Sequence, residues 1–189
     1  MQRLIQKAAG VFSKITAGGA SLSMMALFMI VFVNSLRRYT IGKSLEWGEE
    51  LPIFITIYGV MFGIALAYLQ DRHIRFTMLV GFISEAWTRK LYLVVDLIMM
   101  ANGVLLAYSG WMFTVKRGGV EASGIINLAK SLRSLTGWDQ MIWLGFQYPY
   151  QAAIVVGGVL LAVAALLRFC LRVLDAPAPQ FPVSTGQEG

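Results

Sequence analysis

Apolar positions gather into four long blocks, Ile15–Leu36, Leu51–Leu69, Leu91–Val115 and Tyr150–Leu171, separated by shorter polar stretches. A helix needs roughly 20 apolar residues to cross the hydrocarbon core of a bilayer, and each block meets that length. The second block carries no charge and stops at Gln70-Asp71-Arg72-His73, the third is interrupted by Asp96 and Asn102, and the fourth is almost wholly Ala, Val, Leu and Gly up to Arg168. Inside lipid the backbone must satisfy its own hydrogen bonds, which a block of this kind does as a helix. The pattern therefore predicts an all-α membrane protein with four transmembrane helices in a single domain, residues 1–175. The tail 176–189, rich in Pro, Ser and Gly, has too little apolar surface to fold and reads as disordered.

Two shorter segments have the mixed pattern of helices lying in the membrane interface. Residues 1–14 set Arg3, Lys7 and Lys14 among apolar side chains. The basic start and following apolar run have the outline of a secretory signal, but Ile15–Leu36 is long enough to span, so it reads as a retained first helix. Between Glu121 and Trp138, residues Ile125, Ile126, Leu128, Ala129, Leu132 and Leu135 fall largely on one face, with Lys130 and Arg133 elsewhere. This segment reads as a helix resting on lipid, with contact to a periplasmic partner as the alternative.

Composition sharpens the picture. Of 189 residues 57% are hydrophobic and only 14% charged, against roughly 25% charged in ordinary globular chains, which leaves no room for a soluble domain. Sixteen Lys+Arg against ten Asp+Glu give a net charge of +6, the excess expected of helix ends held at anionic lipid rather than of a nucleic-acid binder. Cys170 and His73 are the only residues of their kinds. One thiol makes no internal disulfide, one imidazole cannot supply both axial ligands of a haem, and no zinc spacing exists. With no Gly-x-Ser-x-Gly, phosphate loop or Cys-x-x-Cys, the sequence predicts no enzyme, no cofactor and no metal.

The basic residues give a weak orientation. With both termini inside, the cytoplasmic side holds nine (Arg3, Lys7, Lys14, Arg72, Arg75, Arg89, Lys90, Arg168 and Arg172). The other holds seven (Arg37, Arg38, Lys43, Lys116, Arg117, Lys130 and Arg133). Three of the nine precede the first helix, where charge bias counts most, so both termini are placed in the cytoplasm.

Small residues recur at helical spacing: Gly59, Gly63 and Ala67 in the second block, Gly103, Ala107 and Gly110 in the third, and Ala153 with Gly157 and Gly158 with Ala162 in the fourth. Such stripes let helices approach closely. Asp96 lies seven residues before Gly103 and so on the same face, which predicts a carboxylate turned into protein. Its position near the Arg89-Lys90 end of the helix favours structural anchoring over proton or ion coupling. His73, beside Asp71 and Arg72 at a helix end, reads as an interfacial imidazole rather than a pH switch.

The link Asn34–Leu51 is the most informative stretch. Ser44 is a candidate N-cap, followed by Glu46, Glu49 and Glu50 where acids complement the helix dipole. Glu46 and Glu50 are four apart and share a face; Trp47 suits the headgroup belt; Pro52 predicts a kink or a late start. The acids beside Arg37, Arg38 and Lys43 predict an ion-pair network at the membrane boundary, in which Arg38 with Glu49 or Glu50 fixes the first two helices or secures a partner.

These residues also carry a family resemblance. Arg38-Tyr39, Trp47-Gly48-Glu49-Glu50-Leu51, Gly63-Ile64-Ala65-Leu66-Ala67 and His73-Ile74-Arg75 occur in an order and spacing that resemble the small (DctQ-like, Q-type) membrane subunit of tripartite ATP-independent periplasmic (TRAP) transporters. The match is strongest over residues 30–80 and extends elsewhere in helix count and in Tyr148-Pro149 before the last helix. Phe76-Thr77 stands where that family often has an acid, and Glu121–Trp138 is longer than usual. The resemblance implies a sodium-driven uptake system for organic acids in a bacterial inner membrane. Its partners would be a large permease subunit, a periplasmic substrate-binding protein and the lipid bilayer. It further implies that this chain is a scaffold packed on the large subunit without a transport site of its own, with both termini cytoplasmic. Arg38, Tyr39, Glu46, Trp47, Glu49, Glu50, Gly59, Gly63, His73 and Asp96 are the candidate interface or structural residues. Two alternatives remain at this point, a membrane-anchor subunit of a respiratory enzyme and a small four-helix carrier acting as a homodimer around Asp96.

Overall fold

A computed structural model describes residues 2–70 and 85–174; His73 and the tail from 176 on lie outside the described residues. The chain folds into α1 (Gln2–Ile41), α2 (Trp47–Leu69), α3 (Glu85–Arg117), α4 (Ile126–Thr136), a 3-10 segment (Asp139–Gly145) and α5 (Tyr148–Val173). Among the described residues four helices are long and apolar enough to cross a membrane: α1, α2, residues Trp87–Arg117 of α3, and α5. The all-α, four-span architecture read from the sequence is the one observed. The second amphipathic segment forms the separate helix α4.

The first amphipathic segment is not separate. It continues without a break into the first span, making α1 a helix of 40 residues, about 60 Å at 1.5 Å per residue. No proline interrupts it, and its less basic face is covered by protein: Ala9, Ser13 and Thr16 are buried, and Ile5 and Phe12 pack on a core of Ala65, Tyr68, Leu69, Ala164, Ala165 and Leu171. The amphipathic pattern thus marks a contact with α2 and α5 rather than a helix lying on lipid.

α2 lies between α1 and α5, and α5 lies between α2 and α3, so that α1 and α3 are the outer helices of a slab. α1 and α2 run antiparallel. Gly19 faces the Phe62 ring and Gly59 faces Ser23 and Met24, where an added Cβ would come within 3.1 Å of Ser23 Cβ. The α3–α5 pair is closer still. Gly103 meets the backbone of Ala162, Gly158 meets Ala107 and Gly103, and Gly110 meets Ile154 and Val155. An added Cβ at Gly103 would lie 2.5 Å from the Ala162 nitrogen, so backbone touches backbone as the small-residue stripes predict. Gly157, packed on Met61, joins α5 to α2.

Gly63 departs from its expected place: nothing lies within 4 Å of where its Cβ would be. Residues four apart drift about 40° per step around a helix, so a stripe that meets α1 at Gly59 has turned away from it one step later. At one end of the slab Gln2 Nε2 donates to the Leu174 carbonyl at 3.5 Å, which puts the start of α1 and the end of α5 side by side.

Candidate functional site

Polar groups collect at the two ends of the slab. At the end that joins Gln2 to Leu174, Asp96 is fully buried. It accepts a hydrogen bond from the Tyr68 hydroxyl at 2.6 Å, and its other oxygen lies 2.9 Å from Arg172 Nε. That second contact is a charge contact without aligned N–H geometry. The Arg172 guanidinium also sits 4.4 Å over the Tyr92 ring, and Arg89 donates to the Arg172 carbonyl at 3.4 Å. Arg168 is buried one turn away. Beside them, Gln70 donates to Ser13 Oγ at 3.4 Å.

Local sequence explains this layer. Asp96 extends the glycine face of α3 and so points at α5; Tyr68 is in the last turn of α2 and Arg172 in the last turn of α5. One carboxylate therefore touches three helices. Chemically the arrangement is a tie: an acid held on one side by a phenol and on the other by a guanidinium in low dielectric is costly to separate from its partners. The inward direction of Asp96 was legible from its spacing to Gly103. Tyr68 was not singled out, although a buried acid requires such a donor.

At the opposite end a single amide organises the first loop. Asn34 of α1 accepts the Leu45 N–H at 2.8 Å and donates to the Gly48 carbonyl at 3.3 Å. Gly48 is the residue four before Pro52, whose missing N–H leaves that carbonyl without its helical donor; Asn34 supplies the replacement. Pro52 consequently sits inside a continuous α2 instead of delaying its start. A Cβ at Gly48 would lie 2.7 Å from Asn34 Cγ, so any larger residue there would push the amide off its two bonds. Ser44 does not cap the helix: Glu46 occupies the cap position without a side-chain cap bond, and Asn34 has taken the neighbouring N–H.

The acids hold the other loop rather than the neighbouring bases. Glu50 accepts the Gly124 N–H at 2.8 Å, and Glu46 accepts from Asn127 Nδ2 at 2.8 Å. Gly124 lies against the Glu46 carbonyl, leaving no space for a side chain. Among the described residues Arg38 forms no ion pair with Glu46, Glu49 or Glu50, whereas Arg133 pairs with Asp139 and Arg172 with Asp96. The cause is the length of α1, which carries Arg38 and Tyr39 past the start of α2, where Arg38 lies 5.8 Å over the Tyr39 ring and Tyr39 is 82% exposed. Glu49 is exposed, while Trp47 is half-buried and lines an open groove of about 340 Å³ with Arg37, Lys43, Glu46 and Asn127.

The segment after α3 is fastened further by its own bonds. Ala122 N–H donates to the Gly145 carbonyl at 2.8 Å and Gln147 N–H to Val120 at 3.0 Å. Tyr58 of α2 donates to the Pro149 carbonyl, and Phe54 stacks on Tyr150 with ring centres 4.3 Å apart. α4 ends at Gly137, whose φ of 70° is the left-handed cap that favours glycine. Among the described residues no group of three or more His, Cys, Asp or Glu is placed to hold a metal ion.

Apart from Gln2 and Ser13 in the first half of α1, the polar groups at both ends of the slab fall within the part of the chain that matches a known family. Residues 27–175 match the model described as Tripartite ATP-independent periplasmic transporters, DctQ component. Two Haemophilus influenzae proteins whose names carry the words TRAP transporter small permease protein are also similar. One is 22% identical over 87 residues, 46% of this chain and 53% of that protein. The other is 26% identical over 92 residues, 48% of this chain and 57% of that protein. The chain thus spans just over half the length of these relatives. The family match covers all of α2, α3, α4 and α5 with α1 from residue 27 onward, and favours the transporter reading over a respiratory anchor or a lone carrier. The chain belongs to the DctQ family, the small membrane components of TRAP transporters, and is a multi-pass membrane protein.

Proposed function

We propose that this chain is the scaffold subunit of a sodium-driven TRAP transporter for organic acids, without a transport site of its own. It sits in the inner membrane with both termini cytoplasmic, packs against the large permease subunit, and works with a periplasmic substrate-binding protein. One observation carries the reading. Between its polar ends the slab is closed by glycine and alanine contacts, such as Gly103 on Ala162 and Gly158 on Ala107, which bring backbone against backbone where a polar route would have to run, while the outer faces of α1 and α3 stay open and, Asn102 and a few serines apart, largely apolar. A carrier needs a route; a frame needs stiffness and a free flank.

In this reading Asp96 anchors α2, α3 and α5 to one another, Glu46 and Glu50 fix the loop that carries α4, and Gly59 sets the distance between α1 and α2. Arg38, Tyr39, Glu49 and Gly63, which have few neighbours within the chain, are left for other subunits or lipid. His73 is assigned no geometry. The test is reconstitution. Liposomes with this chain alone should show no sodium-dependent uptake of an organic acid, and adding the large subunit with the binding protein should produce it. Uptake by this chain alone would overturn the proposal.

A further inference from the structure

The outer face of α3 contains a polar group that the fold leaves unused. Asn102 is fifteen residues from either end of the span Trp87–Arg117, hence near the middle of the bilayer. It is one residue, about 100° of helix rotation, from Gly103, the point where α3 presses on α5. Asn102 is exposed, and among the described residues its side chain has no hydrogen-bond partner. Other hydroxyls of the spans bond within the chain. Thr114 bonds to the Gly110 carbonyl at 2.8 Å and Ser23 to the Gly19 carbonyl at 2.8 Å, the return bond a hydroxyl makes to its own helix. Asp96 has Tyr68 and Arg172. A carboxamide offers two donors and an acceptor, more than its own helix absorbs, and hydrocarbon offers nothing in exchange.

Resting on the scaffold reading above, we propose that the Asn102 face of α3 is the docking surface for a transmembrane helix of the large permease subunit, one that presents a hydrogen-bonding side chain to Asn102 at mid-membrane. The stripe is suited to a helix partner. Val95, Asn102 and Ser109 recur every seven residues, the spacing of a left-handed helix crossing, and all three are exposed. Ser109 is small enough to let a backbone approach, while Ile98 and Phe113, 55% and 46% exposed, flank the contact. The corresponding stretch of α1 offers Met25, Phe28 and Phe32, 66%, 66% and 52% exposed, an apolar surface that lipid covers at no polar cost.

The experiment uses the assembled transporter in its native membrane, with this chain tagged. A benzophenone side chain at position 98 or 113 should cross-link to the large subunit on illumination, and one at position 104 or 111, on the other side of α3, should do so far less. Asn102→Leu should lower the large subunit recovered in mild detergent by about three- to thirty-fold, the range of interhelical hydrogen bonds in membranes. The melting temperature of the isolated chain should stay unchanged or rise, because the amide has no partner within it. Cross-links only to a second copy or only to lipid, or undiminished recovery of the large subunit with Asn102→Leu, would overturn the inference while leaving the scaffold reading intact. Wild-type chain that recovers no large subunit would overturn both.

Discussion

Replacing Asp96 by leucine is the sharpest internal test of how the slab is held. The change removes the carboxylate that meets Tyr68 at 2.6 Å and Arg172 at 2.9 Å, and leaves a guanidinium whose side chain is only 16% exposed facing an apolar residue. Stripping one partner from a fully buried ion pair costs roughly 3–5 kcal/mol. Here the loss is smaller, because Arg172 is in the last turn of α5 and can bend toward the interface, keeping its contact with Tyr92. About 2–3 kcal/mol is the expected destabilisation, with the lost Tyr68 bond included. For a chain of this size that is a fall in Tm of about 4–12 °C.

The assay is thermal unfolding in detergent, followed by thiol-dye labelling of Cys170, the single cysteine, which lies half-buried on α5. Asp96→Leu combined with Arg172→Leu should recover most of the loss, ending within about 1 kcal/mol of wild type, since a buried pair exchanged for packed apolar groups is close to neutral. Asp96→Asn should unfold between wild type and Asp96→Leu, and in the whole transporter it should still support sodium-driven uptake. A Tm for Asp96→Leu equal to wild type would refute the tie. So would a double variant no more stable than the single one, because the cost would then come from packing rather than from an abandoned charge.

The remaining predictions concern the contacts between helices. Gly158→Leu drives a side chain into the Ala107 backbone and should cost about 3 kcal/mol, read as a lowered Tm. Gly63→Leu, with nothing within 4 Å of its Cβ, should change the Tm of the isolated chain by no more than about 0.5 kcal/mol equivalent. Asn34→Leu abandons the Gly48 carbonyl and the Leu45 N–H together and should destabilise by about 2–3 kcal/mol, with amide exchange rising first at the start of α2. Glu50→Ala should speed amide exchange at Gly124 and its neighbours in mass spectrometry without lowering protection in α3, whereas Glu50→Gln, which keeps an acceptor, should resemble wild type more closely.

Local pattern carried the helices and their closest contact, and long-range chemistry carried what it missed. Four apolar blocks and the seven-residue relation of Asp96 to Gly103 are periodicities within one helix, so the spans and the inward acid were legible. The same holds for Gly103, Ala107 and Gly110 against Gly158 and Ala162. Residues 1–14 read as an interfacial helix, yet from Gln2 on they form the start of α1, because an apolar face looks the same whether it meets lipid or α5. The acids of the first loop were paired in expectation with the nearest bases, yet their partners are Gly124 and Asn127, 74 and 81 positions away. Arg38 was carried out of reach by the extra turns of α1. Asn34 drew no notice because its role depends on a carbonyl freed by Pro52 in another helix. Gly63 continues the spacing of Gly59, but the stripe has rotated off α1 by that point even though the two helices stay in contact toward Gln70.

The central claim is that this chain is a passive frame for a larger membrane partner. It is tested most directly by purifying the tagged chain from its native host in mild detergent and identifying what accompanies it by mass spectrometry. The account predicts a large polytopic permease in about equal amount. A chain that emerges alone as a homodimer and transports in liposomes, or one that brings a haem or iron–sulfur enzyme with it, would contradict the account.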